Sequence, residues 1–358
     1  MSEFDIRNIT RTSGLNPEQF EATPRTPDGI SESGDTIWTF KNFQTYFGYY
    51  KEIPEVRKAI NTIATWVLGK GYTTSTRNQV LLESMTGWGE DSFEAIMWNM
   101  LVMKKVNGDS FAEIIRSDRG QLINLKPLNP QKVQVVVSEK GIIKGYKYTH
   151  KGEDMDFKPY EILHLCNDRV ADEVHGTSVI ESIKWLIDAR NEAMRDWRRI
   201  SHRSTIRVLV IDDDNPAKLA TVKTQYKEAI ANGELLVIPG KTGEKQFEDL
   251  TLPPVEAFLA WIRYLENAFY KAIGVPKIIA GDAEGIPESG GKMAYLSHEP
   301  TYRKEVTDLE SDIWNQLAIR VKFNPQPSLE QGMNDQESKN NNQTQVAQPQ
   351  DRSAGGAI

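Results

Sequence analysis

The chain has 358 residues, 39% of them hydrophobic and 26% charged, which is room for two or three domains with a real core. A formal net charge of −7 and a pI near 5.5 exclude a surface that grips nucleic acid over its whole extent. A single cysteine excludes a disulfide framework within the chain and points to synthesis in a reducing cytoplasm.

Residues 1–35 are rich in Thr, Ser, Pro, Gly and Glu without a steady period and read as an N-terminal arm. The opening MSEFDIRNITRTSG lacks a basic region followed by an apolar stretch, so no secretory signal is expected. The longest apolar runs fall far short of the roughly 18–20 residues that span a bilayer, so no membrane partner is expected either. The first helix is IPEVRKAINTIATWVLGKG. Pro54 suits its first turn, Val56, Ile60, Ile63 and Val67 share one face, and Gly69 stops it. A second helix is expected over 92–105, with Phe93, Ile96, Met97, Met100 and Leu101. The period then changes to two: DSFAEIIRSDRGQLINLKPL reads as strand, turn at Ser117–Gly120 and strand. VQVVVSEKGIIKGYKY, the turn THKGED and FKPYEILHLC continue an antiparallel meander, making this first unit, 36–176, α+β.

SVIESIKWLIDARNEAMRDWRRIS opens with a capping box, Ser178 and Glu181, and stays helical to about Arg203, a rod of roughly 40 Å. TIRVLVI and ELLVI read as strands flanking the helix PAKLATVKTQYKEAIAN, and a second rod runs from Pro254 to Ile273. Phe258, Ile262, Leu265, Phe269 and Ala272 line one face of that rod, which Gly274, Val275 and Pro276 end. Two long helices carrying a small βαβ-like module make a stalk with a tip. Their apolar faces close either on one another, as a helix hairpin, or on further copies of the chain, as a ring. KIIAGDAEGIPESGGKMAY then reads as a long mobile loop, and EPTYRKEVTDLESDIWNQLAIRV as a final helix with Val306, Leu309, Ile313, Leu317 and Val321 on one face. From residue 324 the chain is Asn/Gln-rich and too polar to offset its ordering entropy, so a disordered tail is expected.

Signatures of catalysis are weak. ELLVIPGKTGEK carries the second half of a phosphate-binding P-loop in Gly240, Lys241 and Thr242, but Leu235 stands where its first glycine is required. His164, Cys166 and His175, with Asp168 and Asp172 nearby, could hold a metal; yet His164 and Cys166 share a strand face and read first as packed, so no metal or other cofactor is expected. GTSVI lacks the closing glycine of a nucleophile elbow and reads as a helix cap. Trp66, Trp98, Trp185, Trp197, Trp261 and Trp314 read as packing residues of helices. Arg195, Arg198, Arg199 and His202 fall on one helical face with Arg203 at its border, a basic patch that Asp196 and Glu192 partly offset.

Four stretches, in order over about residues 50–320, resemble the portal proteins of tailed bacteriophages. They are NGDSFAEIIRSDRGQLINLKPLNPQKVQVV, GYKYTHKGEDMDFKPYEILHL, HGTSVIESIKWLIDA and AFYKAIGVPKIIAGD. NGDSF departs from the family's commoner Gly-Asn-aromatic order, the chain is short for the family, and a polar tail replaces its helical crown. The resemblance implies a non-enzymatic subunit, with an arm (1–35), wing (36–176), first stem helix (177–204), clip (205–253) and second stem helix (254–274). A tunnel loop (275–298), a C-terminal helix (299–323) and a tail (324–358) complete it. It further implies a homo-oligomeric ring of about twelve copies at one capsid vertex, surrounding double-stranded DNA. The implied partners are the major capsid protein, the terminase large subunit and a head–tail adaptor. On this reading Lys241 and Lys245 lie on the clip's docking surface. Lys277 and Lys292 touch DNA while Asp282, Glu284 and Glu288 keep that contact weak, and Gly281, Gly285, Gly290 and Gly291 let the loop shift. The arginines become a belt of positive charge in the ring. The rival reading is a nucleotide-hydrolysing DNA enzyme built on the GKT turn at 240–242.

Overall fold

The structure, a computed structural model, describes residues 26–31, 34–202, 206–211, 216–225, 227, 235–239, 247–250, 255–281 and 287–325. Its body is α+β, as the change of period within the sequence predicts. Helices α1 (Phe43–Glu52), α2 (Pro54–Leu68), α3 (Thr76–Glu83) and α4 (Phe93–Asn107) come first, interrupted by a short strand β3 (Tyr72–Thr74). Pro54 stands in the first turn of α2, whose Val56, Ile60 and Val67 are buried, and Gly69 caps it by donating to Thr65 O. Ser92 caps α4 by accepting the Ala95 N–H at 3.2 Å, and Gly108 ends it in the left-handed conformation. Ten of the fifteen residues of α4 are buried, so this helix is the centre of the core rather than a surface helix.

Two sheets form where the sequence suggested one meander, and the first of them packs on α4. Strands β4 (Asp109–Arg116), β5 (Leu122–Leu128) and β9 (Ile162–Cys166) form one sheet in the order β5-β4-β9. The other is ordered β1 (Gly29–Ile30), β2 (Thr36–Trp38), β6 (Val133–Val137), β7 (Ile143–His150) and β8 (Glu153–Phe157). β9 leaves its sequence neighbour β8 and pairs antiparallel with β4, setting Asp109 opposite Cys166 and Phe111 opposite His164. Ile162, Leu163 and Leu165 are all buried, so β9 has apolar contacts on both faces and its alternation does not reveal which neighbour it takes. β1 and part of the β2 entry fall inside the stretch read as an arm: Gly29 and Ile30 pair with Ile37 and Thr36. At so short an edge strand the backbone ladder, not an apolar pattern, fixes the chain, and composition carries no signal of it.

Beyond β9 runs α5 (Val179–His202), then β10 (Ile206–Ile211), α6 (Pro216–Gln225), β11 (Leu235–Pro239), β12 (Phe247–Leu250) and α7 (Val255–Ile273). β10 pairs parallel with β11, as the βαβ-like reading expects, and antiparallel with β12, a strand the sequence reading lacked. The last helix, α8, is Glu288–Leu317, eleven residues longer at its start than expected, and β13 (Val321–Phe323) then pairs with β3. Gly290 and Gly291 therefore belong to a helix and not to a loop. Pro287 precedes its first turn, and Gly291 lies within the helix, where an added Cβ would come 2.9 Å from the tip of Ile278 at Cδ1. Residues 324 and 325 also still belong to the fold: Asn324 accepts from Lys70 N–H and donates to Gly71 O. The expected tail beyond them lies outside the described residues.

Candidate functional site

Helices α5 and α7 pack side by side as the two rods. Ile183, Leu186 and Ile187 on one, and Ile262, Leu265, Phe269 and Ile273 on the other, are buried, and Trp197 stacks on Phe258 with ring centroids 4.6 Å apart. Ala272, expected on the packed face, is exposed. Near the body a chain of charges ties three helices together. Arg190 Nη2 contacts Glu55 Oε1 of α2 at 2.6 Å and Glu266 Oε1 of α7 at 3.8 Å, and Glu266 Oε2 accepts from Lys277 Nζ at 3.2 Å. Glu55 to Arg190 spans 135 positions of sequence, so no local spacing announces this network.

The outer face of α7 carries an exposed apolar strip, whereas that of α5 is mostly charged and exposes Trp185 and Met194 among its charges. Trp185 is 61% exposed on α5; Trp261 and Tyr264 are 47% and 58% exposed on α7 and stack on one another at 5.5 Å. Val255 and Leu259 extend this surface, and the exposed Ala257 and Ala260 lie beside it. Trp66, Trp98 and Trp197 are half-buried packing residues as expected, whereas Trp185, Trp261 and Trp314 are not. A helical tryptophan has the same local sequence signal whether it faces core or solvent, so spacing alone did not separate them.

Of the basic patch, Arg195 and Arg198 are exposed on α5, with Arg195 Nε donating to Asn191 O at 3.3 Å. The side chain of Arg199 and all of Arg203 lie outside the described residues. So do Asp282, Glu284 and Gly285, the side chain of Glu288, and Lys241 and Lys245. Lys277 is tied to Glu266 and sits over the Tyr270 ring, while Lys292 is exposed in the second turn of α8. The element following the GKT turn among the described residues is the strand β12, not the helix on whose N-terminus a P-loop rests its phosphates.

Where body meets rod, three distant stretches converge on one buried carboxylate. Asp109, the first residue of β4, is fully buried. Its Oδ1 accepts from His164 Nε2 at 2.8 Å; its Oδ2 accepts from His175 Nδ1 at 3.1 Å and from the Gly176 N–H at 3.0 Å. Burial pushes this carboxyl up, but the charges and hydrogen bonds of the two imidazoles outweigh it and hold the group well below the usual carboxylate range. Burial, reinforced by Asp109, pushes the neighbouring Cys166 thiol well up. Around this centre Asn167 N–H donates to Gly108 O, Thr177 N–H to Asn167 O, and the Ser178 hydroxyl to Val106 O while accepting the Ile180 N–H that starts α5. Lys105 Nζ, bonded to Asn167 Oδ1, also pairs with Glu305 of α8, as does Lys104. His164, Cys166 and His175 are close in sequence as well as in space, whereas Asp109 carries no signal: NGDSF reads as a turn entering a strand and gives no sign of what the turn buries.

The family model described as phage portal protein matches residues 84–292, more than half of the chain. No curated protein matches the sequence. Among solved structures, one from the virion of a native gene transfer agent particle has a TM-score of 0.60 at 14% identity, covering 91% of this chain and 94% of its own. The neck of the native gene transfer agent particle, computed with C12 symmetry, also gives 0.60 at 14% identity, over 85% and 89%. A phage portal protein of the HK97 family from Corynebacterium diphtheriae gives 0.53 at 14% identity, over 76% and 93%.

Proposed function

The chain belongs to the phage portal protein family, and from that premise we propose that it is one subunit of a ring of about twelve copies at a single capsid vertex. The ring is the channel through which double-stranded DNA enters and leaves the virion. Its work is geometric: it fixes the channel while a separate motor hydrolyses ATP. On this reading β2 to β9 with α1 to α4 are the wing, α5 and α7 the stem, and β10 to β12 with α6 the clip that docks the terminase large subunit and later the head–tail adaptor. The subunit is made in the host cytoplasm and ends in the virion against the major capsid protein.

The observation that carries this reading is the outer face of the stem. A water-facing Trp261–Tyr264 stack, continued by Leu259 and Val255 on the same helix, is an interaction surface rather than scattered apolar exposure. A rod with an apolar strip on α7 pointing away from its own body suits head-to-tail packing with copies of itself, which closes as a ring. The gene transfer agent neck computed with C12 symmetry supports twelve copies. Arg195 and Arg198, repeated by the ring, supply a belt for phosphate or for an acidic partner. The segment from Lys277 through the start of α8, including Lys292, is the channel constriction; pairing of Lys277 with Glu266 leaves less free positive charge there and favours sliding over tight binding.

Electron-microscope class averages of the purified chain, paired with ATP titration, test the reading. Rings with an open centre and no heat of ATP binding are expected. ATP binding that is lost on Lys241→Ala would contradict it and favour the nucleotide-hydrolysing alternative.

A further inference from the structure

We propose that Asp109, His164 and Cys166 bind one divalent transition-metal ion of the zinc type, clamping β4 to β9 where the body hands over to α5. The donor atoms converge: Asp109 Oδ1, His164 Nε2 and Cys166 Sγ all lie within 4.8 Å of one another. Positions 164 and 166 of one strand share a face, and the register of β4 against β9 sets Asp109 directly opposite Cys166.

Two of the three donors are held from behind, as ligands in metal centres are. The second oxygen of Asp109 is fixed by His175 Nδ1 and by the Gly176 N–H, which aims the first at the site. His164 Nδ1 lies 3.1 Å from the Tyr146 hydroxyl, which orients the ring and accepts the Nδ1 proton once Nε2 is a ligand. His175 is thus a positioning residue. One carboxylate and one thiolate bring two negative charges, which neutralise the ion in surroundings where an unbalanced charge is costly. Thiolate, neutral imidazole and carboxylate form a mixed soft and borderline set that suits zinc rather than calcium or magnesium.

The Oδ1 to Nε2 distance of 2.8 Å has to open by roughly half an ångström to reach the spacing of two ligands on a tetrahedral zinc ion. Binding releases the Cys166 thiol proton to solvent and leaves His164 protonated on Nδ1; no redox change occurs. Cys166 is only half-buried and provides the path of entry. Three protein donors occupy three corners, and solvent takes the fourth.

The test uses the full chain, treated with a chelator and titrated with Co²⁺. The chain has one cysteine, so a thiolate-to-cobalt charge-transfer band can arise at Cys166 alone. The band is expected to saturate at one equivalent and to vanish when Zn²⁺ displaces cobalt, with a rise in melting temperature in Zn²⁺. Cys166→Ser is expected to abolish the band, and Tyr146→Phe to keep it while weakening zinc binding about tenfold. Wild-type protein with no such band, or with zinc affinity unchanged in Cys166→Ser, overturns the proposal and leaves Asp109 with His164 and His175 as a hydrogen-bonded junction alone.

Discussion

Gly108 and Gly176 touch backbone to backbone: a Cβ on Gly108 would meet Gly176 O at 2.2 Å, and one on Gly176 would meet Gly108 O at 2.3 Å. This contact brings the end of α4 against the loop leading into α5, and around it lie the Asp109 centre and the Asn167 bonds. Neither neighbour is a flexible side chain, so neither can yield. Gly108 also has φ +91°, a region that L side chains rarely adopt.

Gly108→Ala and Gly176→Ala are therefore each expected to cost about 3 kcal/mol or more, read as a fall in the urea midpoint of unfolding. Gly291→Ala is the contrast. Its added Cβ meets only the tip of Ile278, and alanine favours the helix by about 1 kcal/mol, so the net change should stay within about 1 kcal/mol. Equal losses at all three positions would show that crowding at the junction is not what these glycines answer.

Glu305 is the single carboxylate shared by Lys104 and Lys105, and its side chain is 13% exposed. Burial pushes its carboxyl up, but Lys105 and Lys104 outweigh this and lower it from 4.5 to about 2. The folded value lies below the unfolded one, so the unfolded state binds the extra proton between them. The stabilisation is present above pH 4.5 and fades as pH falls toward 2, a contribution of about 3 kcal/mol at most. Glu305→Gln should destabilise the protein at neutral pH by about 3–5 kcal/mol, since two buried ammonium groups lose their charged partner and Lys105 keeps Asn167 alone among the described contacts. It should also flatten the acid limb of the stability curve. An unchanged acid limb would mean that other carboxylates set it.

Trp261→Glu combined with Tyr264→Glu addresses the stem. Both side chains are about half exposed in the single chain, so the monomer's melting free energy should move by less than about 1 kcal/mol. If this face is the subunit contact of the proposed ring, assembly should be lost, because the same change buries two charges in each interface. Sedimentation velocity reads this directly; intact rings in the variant would place the subunit interface elsewhere.

Arg195→Glu with Arg198→Glu should leave ring formation unchanged and reduce the binding of short duplex DNA to the ring. The salt dependence should become shallower, since fewer counterions are released when fewer phosphates are neutralised. An unaltered salt slope would assign this face to solvent.

The rods, α2, α4 and the Ser117–Gly120 turn were legible because each combines a sustained period with a stop or cap within the same dozen residues. α1 was not: although Phe43, Tyr46, Phe47 and Tyr50 keep a helical spacing, Asn42 makes no capping bond, and the helix is only ten residues long. The start of α8 was hidden because Gly290 and Gly291 read as breakers, although both lie within the helix, Gly291 beside the tip of Ile278. The Asp109 centre was only half legible. His164 and Cys166 lie together in sequence, whereas their partner is fifty-five positions before His164 and is joined to it through sheet pairing alone. Exposure of Trp261 and Tyr264 is a property of what the chain lacks on that side, which no spacing within one chain records.

The most direct measurement of the central claim is the native mass of the purified chain. About twelve copies of the 40.6 kDa chain, a particle of about 490 kDa, is the predicted result. A stable monomer near 40.6 kDa that also binds ATP would contradict it.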